Sequence, residues 1–332
     1  MRKPVLALAA LALLAAPAAS SQSTAPVGGY KAPRDTSGRP SLEGVWMSHS
    51  ISELEALPNT PNLVVAEDDA QRLSDLVVDH HANLPFNFLD PEVPELFRDA
   101  GRVNGLNKVR GERRTRQLII PADGKMPFTP PFRRQADQLD QYFTSSPNPE
   151  MTGLADNPEQ RPVWERCVAL GGAPPIANPQ TWHPIQIYQT KDHFILQEEY
   201  HNGPRIIPYS DKHRPTNFRS DLGDAIARWE GDTLVVETIN LHVMDRTRVF
   251  PTLFLTPRSK VIERFTRVGP KELLYQYTIE DPAVYSAPWL AEYSFYLLDK
   301  PLYEFGCHEG NYSLPNIMKG ERVKEERLRQ KP

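Results

Sequence analysis

The chain has 332 residues, with 38 Lys and Arg against 42 Asp and Glu and a formal net charge of −4. No basic run or patch interrupts that balance, which argues against a nucleic-acid partner. Pro is frequent, 33 residues in all, and gathers before residue 180, so the first half is expected to be rich in loops.

The first 20 residues read as an export signal. Arg2 and Lys3 form a basic start, Val5 to Ala16 an apolar stretch too short to span a bilayer, and Ala16-Pro17-Ala18 and Ala18-Ala19-Ser20 both suit cleavage. No Cys follows either site to carry a lipid, and no later apolar run is long enough to insert in a membrane. The expectation is a secreted protein, periplasmic if the cell is Gram-negative. About 310 residues then remain, one large β domain or two smaller ones. Residues 21–40 read as a linker, with Ser21 to Ser37 poorly ordered. Residues 41–180 read as a loop-rich segment packing on a barrel, 181–320 as the barrel core and 321–332 as a charged tail.

Leu42 to Trp46 reads as a first short strand. Asp68 to Val78 has Ala70, Leu73, Leu76 and Val77 at near-helical spacing and is followed by His80-His81. Arg116 to Ile120 reads as a strand ended by Pro121, and Thr129 to Asp140 as an exposed helix opened by Pro130 and Pro131. A long connector, 147–179, carries Cys167 and Gly171-Gly172.

Beyond it the pattern becomes a meander. Ile185 to Thr190 and His193 to Tyr200 flank Lys191-Asp192, and Arg205 to Pro208 is a short strand. Ala225 to Glu230 and Thr233 to Leu241 flank Gly231-Asp232, where Gly in the first central position suits a type II′ turn. Lys260 to Val268 and Glu272 to Glu280 flank Gly269-Pro270, and Leu290 to Leu298 and Leu302 to His308 flank Asp299-Lys300. Four hairpins at this spacing indicate an all-β fold, an antiparallel meander closing into a lipocalin-like barrel with a partly helical N-terminal wrap.

Alternation assigns faces to these strands. Phe194, Leu196 and Glu198 share one face, and His193, Ile195, Gln197 and Glu199 the other. Glu263 lies with Val261 and Phe265, opposite Arg264. A charge facing inward among apolar neighbours requires a partner, so Arg205, Arg264, Glu199 and Glu263 are either ion pairs at a barrel end or ligand-facing groups.

Motifs exclude more chemistry than they suggest. Nine His include no His-x-His or His-Glu-x-x-His unit, and no Cys-x-x-Cys pair occurs, so no metal is expected. There is no Gly-x-Ser-x-Gly elbow, dinucleotide fingerprint or Walker loop, so no cofactor is expected. The two cysteines, Cys167 and Cys307, are a disulfide or two buried thiols ahead of a nucleophile. The run Tyr303 to Tyr312 is dense in polar groups. There His308 can move protons, Glu304 or Glu309 can orient it, and Tyr303 and Tyr312 can donate to an oxyanion. Trp182, Trp229 and Trp289 read as core or pocket wall.

Gly44-x-Trp46 near the start of a barrel resembles lipocalins, whose Trp plugs one end. A wider resemblance rests on Arg205 to Pro208, Gly223-Asp224, Arg228 to Thr238 (RWEGDTLVVET), Glu263 to Phe265, Asp281-Pro282, Pro288-Trp289 and Cys307 to Tyr312 (CHEGNY). Together these resemble a large group of exported bacterial proteins with no settled activity. The likeness covers roughly residues 155 to 322, and Arg116 to Thr129 is similar to an upstream block. The group's Ser-Arg-Gly is here Ala225-Ile226-Ala227, so a role for that Arg is absent or moved. The resemblance implies bacteria that degrade plant-derived aromatics, and with them lyase chemistry on lignin-like molecules.

The function expected is therefore a cofactor-independent lyase or isomerase acting on an aromatic small molecule. Loss of carbon dioxide or formaldehyde from a phenylpropanoid side chain is the type of reaction. Arg205 and Arg264 would hold the anionic part, His308 and Glu199 would handle protons, and Tyr188, Trp229, Tyr277 and Tyr303 would bind the substrate. The alternatives are a lipocalin-like binder of a hydrophobic ligand and an envelope protein with a filled barrel.

Overall fold

A computed structural model describes residues 29–48, 50, 52–57, 60–82, 105–144, 155–161, 166–167, 174–176, 184–199, 203–215, 218–242, 248–249 and 252–330. The signal segment, Gly171-Gly172, Trp182 and Tyr200 lie outside these, as do the side chains of His80 and His81.

The first half supplies β1 (Gly44–Met47), β2 (Val64–Val65), α1 (Glu67–Ala82), β3 (Lys108–Val109), β4 (Glu112–Arg114), β5 (Leu118–Ile120) and α2 (Pro130–Thr144). The second half supplies β6 (Ile185–Gln189), β7 (His193–Glu198), β8 (Arg205–Pro208), β9 (Asp224–Glu230), β10 (Thr233–Ile239) and a small pair, β11 (Arg248–Val249) with β12 (Thr252–Leu253). It continues with β13 (Lys260–Gly269), β14 (Glu272–Glu280), β15 (Trp289–Leu297) and α3 (Ser313–Arg329).

The main sheet runs β8-β7-β6-β1-β15-β14-β13-β10-β9, every neighbour antiparallel, and curls into a nearly closed barrel. The expected all-β barrel is therefore present. Eight antiparallel steps along this path leave the end strands, β8 and β9, pointing the same way. The closure is accordingly parallel. A bridge joins Tyr209 to Ala227, with the Ser210 N–H donating to the Ala227 carbonyl at 3.0 Å. A parallel return cannot be made by a tight turn, and residues 209–223 form the long connection it needs.

Turn chemistry sets the hairpins. In β9–β10 Gly231 has φ 62 while Asp232 is not left-handed, as a II′ turn requires, and Glu230 pairs with Thr233. Alternation then sorts the faces. Val261, Glu263 and Phe265 face inward from β13, Tyr275 and Tyr277 from β14, and Trp289, Ala291, Tyr293 and Phe295 from β15, all nearly or wholly inaccessible. The lumen is lined by aromatics in mutual contact: Phe194–Phe265 at 5.4 Å, Phe265–Tyr275 at 4.9 Å, Tyr275–Tyr293 at 5.2 Å and Tyr277–Trp289 at 5.6 Å between ring centroids.

Both barrel ends are covered. At one, residues 34–42 cross the hairpin turns: Arg39 donates to the Thr190 carbonyl at 2.6 Å and to that of Lys191 at 3.2 Å, and Arg34 meets Asp232 at 2.9 Å. Trp46 is buried there under the Arg267 guanidinium, 5.3 Å from its ring centroid. The segment expected as a disordered linker is thus tied down from about residue 34, because its polar groups satisfy the open carbonyls of the turns. At the other end Phe128, just before α2, packs on Phe254 and Tyr285, Phe132 in α2 packs on Phe254, and Tyr285 in turn meets Trp289.

The last expected hairpin does not form. Residues 301–309 are irregular, and the free edge of β15 is shared by β1, pairing Trp46 with Leu297, and β5, pairing Leu118 with Ala291. A strand from far away in the sequence outcompetes the local one, and the Cys167–Cys307 disulfide holds the displaced segment elsewhere. The charged tail is the second half of α3, which begins at Ser313.

Candidate functional site

Inside the lumen an ion pair is buried. β8 turns the Arg205 guanidinium inward and β13 turns Glu263 to meet it, with Nη1–Oε1 at 3.1 Å and Nη2–Oε2 at 2.5 Å. The fork-to-carboxylate geometry uses both oxygens, the arrangement that best offsets desolvation. The Tyr275 hydroxyl donates to Glu263 Oε1 at 2.8 Å. Burial alone would lower the Arg205 pKa, but the adjacent Glu263 carboxylate outweighs it, so the guanidinium stays charged. Burial, and then the charge of Glu263, push the Tyr275 phenol well above its usual value, so it keeps its proton and remains a donor. Glu198, fully buried at the end of β7, adds a second carboxylate whose field acts on Arg205.

A piece of main chain completes the cluster. The Ile176 N–H donates to the Tyr275 hydroxyl at 2.8 Å, and the Tyr293 hydroxyl donates to the Ile176 carbonyl at 2.6 Å. One continuous series therefore runs Arg205, Glu263, Tyr275, Ile176 peptide, Tyr293. The Tyr275 and Tyr293 hydroxyls both bond to that peptide group, and aromatic rings surround them.

A second feature is a cleft of about 310 Å3 on the barrel wall, where β8 and β9 meet. Arg205, Ile206, Ile207, Pro208, Arg214 and Asp224 are among its lining residues, so Arg205 belongs both to the lumen, through its guanidinium, and to the cleft. Asp224 is held by Arg214 Nε at 2.7 Å, Arg214 N at 3.0 Å and His213 Nδ1 at 3.1 Å. The other His213 nitrogen reaches Glu237 at 3.2 Å. Burial would raise the Asp224 carboxyl, but its bonds with Arg214 and His213 prevail and hold it below the usual range.

The four residues expected to be catalytic are not brought together. Arg205 is in the lumen. Arg264 is on the outer face of β13, paired with Glu230 at 2.8 Å. Glu199, just past β7, accepts the Tyr303 N–H at 2.9 Å. His308 is exposed in the turn beside the disulfide. Among the expected substrate contacts, Tyr277 is buried in the lumen and Trp229 packs on the core, while Tyr188 and Tyr303 are exposed, 47% and 68%. The Cys167–Cys307 disulfide is present.

Sequence reasoning did not single out Tyr275, Tyr293, Glu198 or Ile176. The first three were within reach. Tyr275 lies two residues before Tyr277 and so shares its face. Glu198 shares the buried face of Phe194 and Leu196. Nothing local marks Ile176, since its role depends on the tyrosines across the lumen.

Among the described residues no group of three or more His, Cys, Asp or Glu is placed to hold a metal ion, and no helix is long and apolar enough to cross a membrane. No protein-family model, curated protein or solved structure matches this chain.

Proposed function

We propose that the chain is a lipocalin-like binding protein, exported to the periplasm, whose barrel takes a hydrophobic, preferably aromatic, small molecule. The observation that carries this reading is the polar series ending on the Ile176 peptide inside a lumen of aromatic rings. A few fixed donors and acceptors set in apolar walls are what a small-molecule site requires. The ligand's acceptor replaces the Ile176 carbonyl at Tyr293, its donor replaces the Ile176 N–H at Tyr275, and its ring replaces the Ile176 side chain.

The second reading is the cofactor-independent lyase or isomerase on the same class of molecule. The position and protonation of Tyr275 favour it. A neutral phenol backed by the Arg205–Glu263 pair is a fixed donor for an oxyanion that develops on the substrate. In this reading Arg205 acts through Glu263 and Tyr275 and does not itself hold the substrate's acid group.

One experiment separates the two. The purified mature chain is incubated with a panel of aromatic dimers and phenylpropanoid acids, and the bound and free fractions are weighed by mass spectrometry. Unaltered compound retained by wild type and lost from Tyr293→Phe supports the binding protein. Loss of a small fragment, abolished in Tyr275→Phe, supports the lyase. A panel neither bound nor changed refutes both.

A further inference from the structure

The connection 209–223, which the parallel closure requires, also builds the far wall of the cleft beside β8. Its turn at 220–223 is fixed in place: Ser220 Oγ donates to the Gly223 carbonyl at 3.0 Å, and His242 N donates to the Ser220 carbonyl at 2.9 Å. Gly223 has φ 70, and a Cβ there would meet the Ile239 carbonyl at 2.5 Å, so glycine is what lets the turn lie this close to β10. Leu222 from the turn, with Ile206 and Pro208 from β8, gives the cleft apolar walls. Ile206 is 61% exposed, an apolar side chain that the fold leaves uncovered.

One cation is held at the cleft with its charge turned outward. Arg214 donates twice to Asp224, from its backbone N–H to Oδ2 at 3.0 Å and from Nε to Oδ1 at 2.7 Å, which fixes the side chain at both its root and its head. Asp224 is 4% exposed and is held in turn by His213, whose other ring nitrogen meets Glu237. An exposed ion pair usually contributes little, because a long side chain must be ordered to make it. Here a buried carboxylate does the ordering, and an imidazole backed by a second carboxylate holds it there. Yet the Arg214 side chain is 65% exposed, and its terminal nitrogens have no partner among the described residues. A guanidinium anchored by Nε presents those two nitrogens as a fork for a planar anion. The other guanidinium at the cleft, that of Arg205, is already taken by Glu263. The neighbours of Arg214 say which anion fits. Asp224 offsets part of its charge, so one further negative charge is matched and a phosphate dianion is not. The volume of about 310 Å3 is near the small end of ligand pockets, and the apolar walls suit a short hydrocarbon body beside the charge.

We propose that the cleft is a second ligand site, separate from the lumen, that binds a small monocarboxylate with a short apolar body. Arg214 receives the carboxylate through both terminal nitrogens, and the body lies against Ile206 and Leu222. The site needs nothing bound in the lumen and stands independently of the lumen's role.

The test titrates the full chain with hexanoate, hexanamide and inorganic phosphate and follows backbone amide shifts by NMR. Hexanoate shifts the amides of Ile206, Leu222 and Ala225 along a saturable curve. Replacing it with hexanamide, or Arg214 with Gln, weakens binding at least about tenfold, as expected for lost charge-assisted bonds. Arg214→Lys keeps the charge without the fork and recovers only part of the affinity. Leu222→Trp, which fills the cleft and leaves Arg214 in place, abolishes binding. Tyr293→Phe in the lumen and Arg264→Gln on the outer face of β13 bind hexanoate as wild type does, and phosphate leaves the three amides unshifted. Equal binding of acid and amide, no binding of either, or phosphate binding as tight as hexanoate overturns the proposal. Shifts that fall around Tyr275 and Tyr293 instead would place the acid in the lumen and would also overturn it.

Discussion

Two buried charge clusters lie on opposite sides of the same sheet, and they are equally dry. Inside the barrel Arg205 meets Glu263, with side chains 3% and 0% exposed; outside it, under the N-terminal wrap, Arg114 meets Glu292, with 6% and 0%. Their surroundings differ. The outer pair sits in a seam of main chain. Gln276 donates to Glu292 at 2.9 Å, Asn107 exchanges bonds with both the N–H and the C=O of Ser294, and Ser52 ties the Arg114 carbonyl to Asn107 N. These are the bonds a loop-rich segment needs to lie on a sheet whose outer face is polar. The inner pair sits among aromatic rings and, among the described residues, reaches main chain outside the barrel at the Ile176 peptide, through Tyr275. Burial of a charge therefore does not by itself mark a functional site. What marks the inner cluster is that its polar outlet ends on a single replaceable group.

Mutations in the two clusters should separate them, and stability in urea is the common readout. Glu263→Ala should be the most damaging, at about 3–5 kcal/mol, because it leaves the Arg205 guanidinium buried without its carboxylate. Glu292→Ala should cost less, about 1–3 kcal/mol, since Arg114 keeps Glu112 at 3.0 Å, on a partner that is 54% exposed. Equal losses would mean that the inner pair has solvent or a partner that softens the change. Tyr293→Phe should cost about 1 kcal/mol, for the lost bond to the Ile176 carbonyl.

The acid limb provides a further contrast. The folded pKa of Asp224 is depressed, so its contribution to stability is present above the unfolded value and is lost as pH falls through the folded one. Asp224→Asn should flatten the acid side of the stability profile below about pH 4. An unchanged slope would show that the His213–Asp224–Arg214 contacts do not hold the connection 209–223 in place. Arg264→Ala, at an exposed pair, should change stability by no more than about 0.5 kcal/mol.

The legible part of this fold was local. The β13–β14 and β9–β10 hairpins were readable because turn residues and alternation agree over short distances, and alternation placed Glu263 inward and Arg264 outward. The partner of β15 was not readable. Leu302 to His308 alternates well enough to resemble a strand, but β1, hundreds of residues away, brings Trp46 to bury, which the local segment cannot match. The same limit governed the site. His308 is a titratable group in a polar run and Glu199 a charge on a strand face, yet their neighbours are a turn and main chain. The relevant tyrosines looked like core because they are core, and only the lumen-crossing Ile176 shows where they lead.

The most direct test of the account is calorimetric titration of a panel compound that binds wild type into Tyr275→Phe and Glu292→Gln proteins. If the inner cluster is the ligand site, Tyr275→Phe should change affinity by about tenfold or more, as expected where a site built to hydrogen-bond its ligand loses a partner, and Glu292→Gln should leave it unaltered. Equal affinity for wild type and Tyr275→Phe, or a matching loss in Glu292→Gln, would contradict it.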